Sequence, residues 1–368
     1  MFLTEAEMDG LSDDYKKARL QEDGTYKVGV SYPDIRGFFR NSTNEDARKE
    51  LLRMYTNRAA DTNLKVLMQM IEKRNEQAEL LGYETYAHYR LSDKMASDPQ
   101  TVWDFQDELK ELVTPKGYAD IEEMVSFQRD VLGVDKDYID PWSRSYVINK
   151  LLKQNYGVDV EEVQQYFPIE SVIDGLFSIT QNLFDLEYKE MKNASVWHED
   201  VMAYEVFEGG KLIGRFYLDL HPRPNKYNHA ACFPIIIGRN TPDGFQIPTS
   251  SLECNFTAPT EDKPALMTHD EVETFFHEFG HVLHSLVTNS ELGEQSGFFV
   301  SRDFIEAPSQ IFENWVWNDE SLSLFAKHYE TGEVLPKELF DKMKAAKTVM
   351  SGRNTLYQIF LGTIDMTY

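Results

Sequence analysis

The sequence predicts a mainly α protein with one small antiparallel β-sheet. Apolar residues recur at helical spacing through most of residues 1–184, whereas apolar and polar residues alternate only within residues 201–256. Residues 268–287 contain no proline and begin with strong signals for the start of a long helix. The predicted sheet therefore directly precedes this helix.

The chain has 368 residues, which is enough for two domains or one large domain. Apolar residues make up 42% of the chain, so it can bury a substantial core. We predict a helical region, a region that combines the sheet with the long helix, and the start of one further helix. These three regions occupy residues 1–155, 156–348 and 349–368.

Several segments of the first half have the apolar spacing of amphipathic helices. The predicted helices occupy residues 1–22, two segments within 44–83, and residues 101–132, 141–156 and 169–184. A short strand is predicted at residues 26–30, and Gly82 is expected to end a helix. Pro115 is expected to break the helix at 101–132, because proline lacks the amide hydrogen that continues a helix.

The alternating segment predicts two pairs of strands. Residues 201–207 and 212–220 flank a Gly-Gly turn, which is typical of a β-hairpin. Residues 228–237 and 245–256 flank the sequence N-T-P-D-G, which suits a type I turn. We therefore expect a small antiparallel sheet, and its edge would let an extended peptide add as a strand.

The long helix begins with a capping-box pattern. Thr268 is followed three residues later by Glu271, so each side chain can accept a hydrogen bond from the other residue's backbone amide. Asp270 and Glu273 add negative charge to the first turns, where the helix dipole favours it. These residues predict a helix that begins next to Thr268.

Within this helix, residues 277–281 read H-E-F-G-H. His277 and His281 are four residues apart, so they lie on one helical face with Cβ atoms about 5–6 Å apart and can bind one Zn²⁺ together. Glu278 follows the first histidine and can take a proton from a metal-bound water. Gly280 lowers the helix propensity by about 1 kcal/mol but permits another backbone to approach closely. A five-letter motif also occurs by chance on ordinary helices, so a third ligand is needed.

The segment 302–317 supplies candidates for that third ligand. It reads as a second helix whose polar line is Asp303, Glu306, Gln310 and Glu313. Its apolar residues are expected to face the core, namely Phe304, Ile305, Ile311, Phe312 and Trp315. Glu306 is the preferred ligand, while spacing leaves Asp303, Glu313 and His284 open as alternatives.

Three further residues are candidates for supporting the ligands. A histidine that binds a metal usually donates its other ring N–H to an acceptor, and Glu313 or Asp270 could accept it. His284, seven residues after His277, lies on the same helical face and is expected to support the site or to pack beside it.

Composition restricts the partners and the compartment. The net charge of −25 argues against a nucleic acid or an anionic membrane as partner. No apolar run reaches 18 residues, and the first residues lack the basic and apolar regions of a signal peptide. Cys232 and Cys254 are the only cysteines, which favours a reducing compartment. We expect the cytoplasm, with an organelle as the alternative if a targeting segment precedes residue 1. We also expect a monomer.

Residues 277–284 (H-E-F-G-H-V-L-H) together with residues 303–310 (D-F-I-E-A-P-S-Q) resemble the M3 metallopeptidases, the thimet oligopeptidase, neurolysin and saccharolysin group. The similarity extends to segments in both halves of the chain, at residues 81–83, 197–201, 216–220 and 229–232. The resemblance implies one zinc ion held by His277, His281 and Glu306, with Glu278 as the catalytic carboxylate.

The resemblance also implies a two-lobed, zincin-like helical fold. A channel-wall lobe would correspond to residues 1–155 and a catalytic lobe to residues 156–348, with a deep narrow channel that excludes folded proteins. The expected activity is hydrolysis of internal bonds of short peptides by a promoted water.

Members of this family are about twice as long, and their substrate-binding tyrosine and histidine residues come mainly from a C-terminal segment without a counterpart here. The substrate-binding residues therefore stay unassigned. We expect an incomplete chain whose last helix is interrupted, and which binds zinc but hydrolyses peptides poorly. Two alternatives remain: a non-catalytic, zinc-containing peptide-binding fragment, and a non-haem iron site, whose two histidines and one carboxylate would leave Glu278 without a role.

Overall fold

The computed structural model describes residues 1–260 and 263–368. The chain forms two compact units, one of Met1–Tyr156 with Ala345–Tyr368 and one of Gly157–Lys344. The predicted mainly helical fold class is confirmed by the element order. Within the described residues, every helix is too short or too polar to cross a membrane.

The α-helices, in chain order, are α1 (Asp13–Lys17), α2 (Tyr32–Asn41), α3 (Glu45–Thr56), α4 (Ala60–Leu80), α5 (Tyr86–Leu91), α6 (Pro99–Asp130), α7 (Arg144–Leu151), α8 (Val160–Val163), α9 (Ile169–Phe184), α10 (His269–Leu286), α11 (Arg302–Glu313), α12 (Asp319–Phe325), α13 (Lys337–Ala346) and α14 (Ser351–Thr367). The strands are β1 (Phe2–Leu3), β2 (Tyr26–Lys27), β3 (Leu186–Glu190), β4 (Met202–Glu208), β5 (Lys211–Asp219), β6 (Ala231–Ile236), β7 (Arg239–Thr241), β8 (Gly244–Gln246) and β9 (Thr249–Glu253).

The first unit agrees with the predicted helices at α3 and α4, and Gly82 follows α4 with a φ of +81°, which suits a glycine that ends a helix. The prediction of a helix over residues 1–22 is wrong for most of that segment. The helical segments there are a short 3₁₀ helix at Glu5–Met8 and α1, and β1 pairs with β2 as an antiparallel ribbon. Burial of Leu3 and its partner Tyr26 in a local core favours this ribbon over a continuous helix.

The predicted break near Pro115 is also wrong, because α6 continues from Pro99 to Asp130. The packing of α14 against α6 directly after the proline explains this difference. A Cβ on Gly352 would lie 2.5 Å from the backbone nitrogen of Gly117, so the two helix backbones touch at this pair of glycines. Packing against α14 therefore stabilises α6 on both sides of Pro115, although a proline in a helix interior costs about 3 kcal/mol.

A five-stranded sheet in the order β3-β4-β5-β9-β6 forms the base of the second unit. The predicted β4–β5 hairpin is confirmed, and β6 pairs with β9 antiparallel. The sheet is nevertheless mixed, because β9 runs parallel to β5, and β3 was not predicted. After β5 the chain passes through β6 and the β7–β8 hairpin, so that β9 runs in the same direction as β5. Four of the five β9 residues are buried, and burial is usual for parallel strands.

Helix α10 packs against β5, β6 and β9. Phe275, Phe276 and Phe279 on this helix are fully buried. Phe279 meets Phe216 of β5 edge to face, with ring centroids 5.4 Å apart. These aromatic contacts hold α10 on the sheet and leave the face with His277 and His281 turned toward α11.

Candidate metal centre

Helix α10 begins as the sequence predicts. The backbone amide of Thr268 donates to Glu271 Oε2 at 2.9 Å, and the amide of Glu271 donates to Thr268 Oγ1 at 3.4 Å. The capping box is therefore confirmed, and the helix runs without interruption to Leu286.

Gly280 permits the close approach of α11 to α10. A Cβ at this position would lie 2.7 Å from Ser309 Cα and 3.1 Å from the Pro308 carbonyl oxygen. Any larger residue would push the two backbones apart. The glycine between Glu278 and His281 thus brings α11 against the turn that carries both histidines.

Glu306 of α11 lies between those two histidines. Its Oε2 is 3.2 Å from His277 Nε2 and 3.2 Å from His281 Nε2. A tetrahedral metal with bonds of about 2.0–2.1 Å separates its ligand atoms by about 3.3 Å. The three side chains therefore fit a His₂Glu zinc site, and they are the one such group among the described residues.

The remaining candidates for the third ligand lie outside this group. Asp303 Oδ2 accepts a hydrogen bond from the Ser301 hydroxyl in the first turn of α11. His284 packs its ring against Phe304 with centroids 6.2 Å apart, and its buried Nδ1 has no hydrogen-bond partner. Burial also lowers the pKa of His284.

Glu313 contacts the other nitrogen of His277. The distance between His277 Nδ1 and Glu313 Oε1 is 2.7 Å. Asp270, the other candidate for this contact, is exposed in the first turn of α10, about two turns away from His277. The structure therefore places Glu313, and not Asp270, against a histidine of the cluster.

The charges of the cluster suit a cation. Burial lowers the pKa of His281, which favours the neutral ring that a metal binds. Burial alone would raise the pKa of Glu306, but the Ser309 hydroxyl and the two histidine rings together lower it. The cluster thus favours a neutral His281 imidazole beside an ionised Glu306 carboxylate.

Glu278 lies beside the cluster and is 8% exposed. Its burial raises its pKa to about 7, with the His277 ring lowering the value and the charge of Glu306 raising it. The backbone amide of Cys232 donates to its carboxylate. Because Cys232 belongs to β6, the side chain of Glu278 on α10 faces the edge strand of the sheet.

Sequence reasoning missed two contacts and misplaced part of α11. Phe304 and Ile311 are 55% and 59% exposed, so the prediction that they face the core is wrong. Ser309 is fully buried, and its hydroxyl donates to Glu306 Oε2 at 2.7 Å. The three-residue spacing of Ser309 from Glu306 could have indicated this bond, whereas no local pattern indicates the contact between Cys232 and Glu278.

The family model of Peptidase family M3 matches residues 38–368. Oligopeptidase A of Escherichia coli is 38% identical over 360 residues, which are 95% of this chain and 53% of that protein. Saccharolysin of Saccharomyces cerevisiae is 37% identical over 356 residues, 93% of this chain and 50% of that protein.

A third relative is the Thimet-like oligopeptidase of Dictyostelium discoideum, which is 35% identical over 355 residues. The match covers 93% of this chain and 53% of that relative. The chain thus spans about half the length of the curated relatives it matches. The resemblance inferred from the motifs is confirmed by these matches.

Proposed function

The chain belongs to peptidase family M3, and on that premise we propose that it is a zinc-dependent endopeptidase that acts on short peptides. The observation that supports the proposal most directly is the position of Glu306 Oε2, 3.2 Å from the Nε2 atoms of both His277 and His281. Glu278 adds a buried carboxylate at the same turn of α10. Three protein ligands with one open position are typical of catalytic zinc sites, whereas structural zinc sites have four protein ligands.

The proposed roles follow from the chemistry of each side chain. His277, His281 and Glu306 would hold one Zn²⁺, which when bound polarises a water molecule and the scissile carbonyl group. Glu278 accepts the proton of the attacking water and then delivers it to the leaving nitrogen. Its raised pKa suits a group that both takes and gives a proton near neutral pH.

Two neighbours would hold these groups in position. The carboxylate of Glu313 lies 2.7 Å from His277 Nδ1 and would accept its N–H when Nε2 binds the metal. The Cys232 amide donates to Glu278 and limits the directions that its carboxylate can take. Both contacts reduce the freedom of the catalytic side chains before a substrate arrives.

The proposed substrates are extended peptides. Strand β6 is the last strand of its sheet, and it contacts α10 beside Glu278. A peptide that pairs with such an edge presents its backbone carbonyl groups in a regular row. The names of the relatives, oligopeptidase A and Thimet-like oligopeptidase, agree with peptides as the substrate class.

We make a separate proposal about the rate at which the 368-residue chain hydrolyses peptides. The relatives are about twice as long, and the loss of one donor that stabilises the transition state typically lowers the rate about 10²–10³-fold. We expect the chain by itself to bind zinc and to hydrolyse peptides more slowly than a full-length relative. Peptide binding without any turnover would instead favour a non-catalytic, zinc-containing peptide-binding protein.

We also propose a monomer in a reducing compartment such as the cytoplasm, without a nucleic acid or a membrane as partner. The support is the net charge of −25 and the two free thiols, Cys232 and Cys254. Gel filtration with light scattering tests the monomer, and a stable dimer would refute it.

The test of the function measures metal content and hydrolysis together. The chain is stripped with a chelator, reloaded with zinc and assayed with a quenched fluorescent peptide. We expect one zinc per chain and hydrolysis only after reloading, while the His281→Ala variant has neither. Full hydrolysis by the stripped chain, or one tightly bound zinc in the His281→Ala variant, would refute the proposal.

A further inference from the structure

Ser309 is a buried serine of α11 that touches the proposed zinc site but is not one of its ligands. It is 0% exposed, and its hydroxyl lies 2.7 Å from Glu306 Oε2. We propose that Ser309 is a positioning residue, which holds Glu306 in the orientation that binds the metal and thereby sets the zinc affinity. This inference rests on the proposed function.

The Ser309 hydroxyl lies within hydrogen-bonding distance of two acceptor atoms of Glu306. It lies 3.1 Å from the backbone carbonyl oxygen and 2.7 Å from the carboxylate Oε2. A hydroxyl has a single proton, and hydrogen bonds to ionised carboxylates are shorter and stronger than those to carbonyls. The shorter contact therefore identifies the carboxylate as the acceptor.

The same carboxylate oxygen faces both histidines. Oε2 is the atom that lies 3.2 Å from His277 Nε2 and 3.2 Å from His281 Nε2. A carboxylate oxygen has two lone-pair directions, so it can accept the Ser309 proton and still bind a cation. The Ser309 bond thus leaves the metal-facing lone pair available.

Glu306 depends on this donor because its side chain is 51% exposed. A free glutamate in such a position samples several rotamers, and fixing one of them costs conformational entropy. With a metal bound, both Nε2 atoms would face the ion and could not act as hydrogen-bond donors to the carboxylate. The Ser309 hydroxyl then remains as a donor that holds the carboxylate of Glu306.

Ser309 itself has a fixed position, because its backbone lies against Gly280. A Cβ on Gly280 would be 2.7 Å from Ser309 Cα, so the two helices touch at this point. Gly280 directly precedes His281, and Ser309 is one helical turn from Glu306. The same helix contact therefore aligns the histidine pair with the donor that orients the third ligand.

The test compares the zinc affinities of four versions of the 368-residue chain, measured by competition with a chelator. They are the unchanged chain, Ser309→Ala, Glu306→Ala and the double variant. We expect Ser309→Ala to weaken zinc binding about 10–100-fold in the unchanged background. We expect no further loss in the Glu306→Ala background, because the side-chain acceptor that Ser309 orients is gone.

A buried serine of α10 provides the matched control. Ser285 is 6% exposed and its hydroxyl lies 2.7 Å from Ser250 Oγ, so Ser285→Ala removes a buried hydroxyl without touching Glu306. We expect this variant to keep its zinc affinity. Thermal unfolding of the metal-free chains shows whether either serine contributes to stability independently of the metal.

Three results would overturn the inference. Ser309→Ala could bind zinc as tightly as the unchanged chain, it could lose the same factor in both backgrounds, or Ser285→Ala could lose as much. Each would show that the hydroxyl does not act through the carboxylate of Glu306. Failure of the unchanged chain to bind zinc would be a different outcome, since it would refute the metal site and this inference together.

Discussion

The imidazole of His277 has a carboxylate at each nitrogen, because Nδ1 lies 2.7 Å from Glu313 Oε1 while Nε2 faces Glu306. A carboxylate only accepts hydrogen bonds, so when Nε2 binds a metal the ring proton would lie on Nδ1 and donate to Glu313. One side chain on α11 would thus favour the metal-binding tautomer of a histidine on α10.

We predict that Glu313→Ala weakens zinc binding about 10–100-fold, because His277 loses the acceptor that orients its ring. The measurement is a competition titration with a chelator at fixed pH. Asp270→Ala is the control, since Asp270 lies in the exposed first turn of α10. That variant should lose about 0.3–1 kcal/mol of helix-dipole stabilisation and keep its zinc affinity. Equal zinc affinities of the two variants would refute the role of Glu313.

We predict that Glu278→Gln keeps one zinc per chain and abolishes peptide hydrolysis. The amide has nearly the same shape as the carboxylate but cannot accept the proton of the attacking water. Metal analysis and a quenched fluorescent peptide assay, both at saturating zinc, measure the two effects. Glu320→Gln, at an exposed carboxylate of α12, should retain the rate of the unchanged chain. Hydrolysis by the Glu278→Gln variant at that same rate would rule out Glu278 as the base.

We predict that Gly280→Ala destabilises the chain by about 1–3 kcal/mol, as overpacking of a tight contact usually does. On propensity alone the substitution would stabilise a helix by about 1 kcal/mol. The opposite sign is expected because the new Cβ would lie 2.7 Å from the Ser309 backbone, which cannot move independently of α11. Urea unfolding of the metal-free chain measures the change in free energy.

Gly362→Ala in α14 is the control for this substitution. A Cβ at Gly362 would lie 2.7 Å from Gln106 Nε2, the end of a flexible side chain that can turn away. This variant should be neutral or slightly more stable. A stabilising Gly280→Ala change would show that the helices tolerate a larger separation at Ser309.

Asp219 is a fully buried carboxylate held by three donors. Arg223 Nη2 donates to it at 2.7 Å, Trp197 Nε1 at 2.8 Å, and Lys226 Nζ lies 2.8 Å away. Burial alone would raise the pKa of Asp219, but these donors together hold it well below its usual range. Because the pKa is lowered by folding, this stabilisation is complete above about pH 4 and is lost as the pH falls toward the folded value.

We predict that Asp219→Asn lowers the free energy of unfolding by about 3–5 kcal/mol near neutral pH, because Lys226 then keeps a buried charge without its partner. The unchanged chain should lose more stability than the variant between about pH 4 and about pH 3. Urea unfolding across this pH range measures both effects. Glu187→Gln, at an exposed carboxylate 3.1 Å from Lys189, is the control and should differ by less than about 1 kcal/mol. A pH dependence unchanged in Asp219→Asn would contradict the prediction.

Local patterns were reliable where the structure depends on neighbours along the chain. Helix α9 and the β4–β5 hairpin follow their periodicities, and the capping box at Thr268 forms as predicted. Long-range packing decided the remainder. The parallel β5–β9 pair depends on how the chain returns, and the continuity of α6 at Pro115 depends on contact with α14.

The sequence by itself determined that His277 and His281 share one helical face beside Glu278, because helical periodicity is a property of four or five consecutive residues. Only the tertiary structure decided which carboxylate meets them and which groups hold it. Glu306 and its partner Ser309 reach the site through the contact of two helix backbones at Gly280. The separation of these two backbones depends on packing between segments about thirty residues apart, and no local pattern specifies that separation.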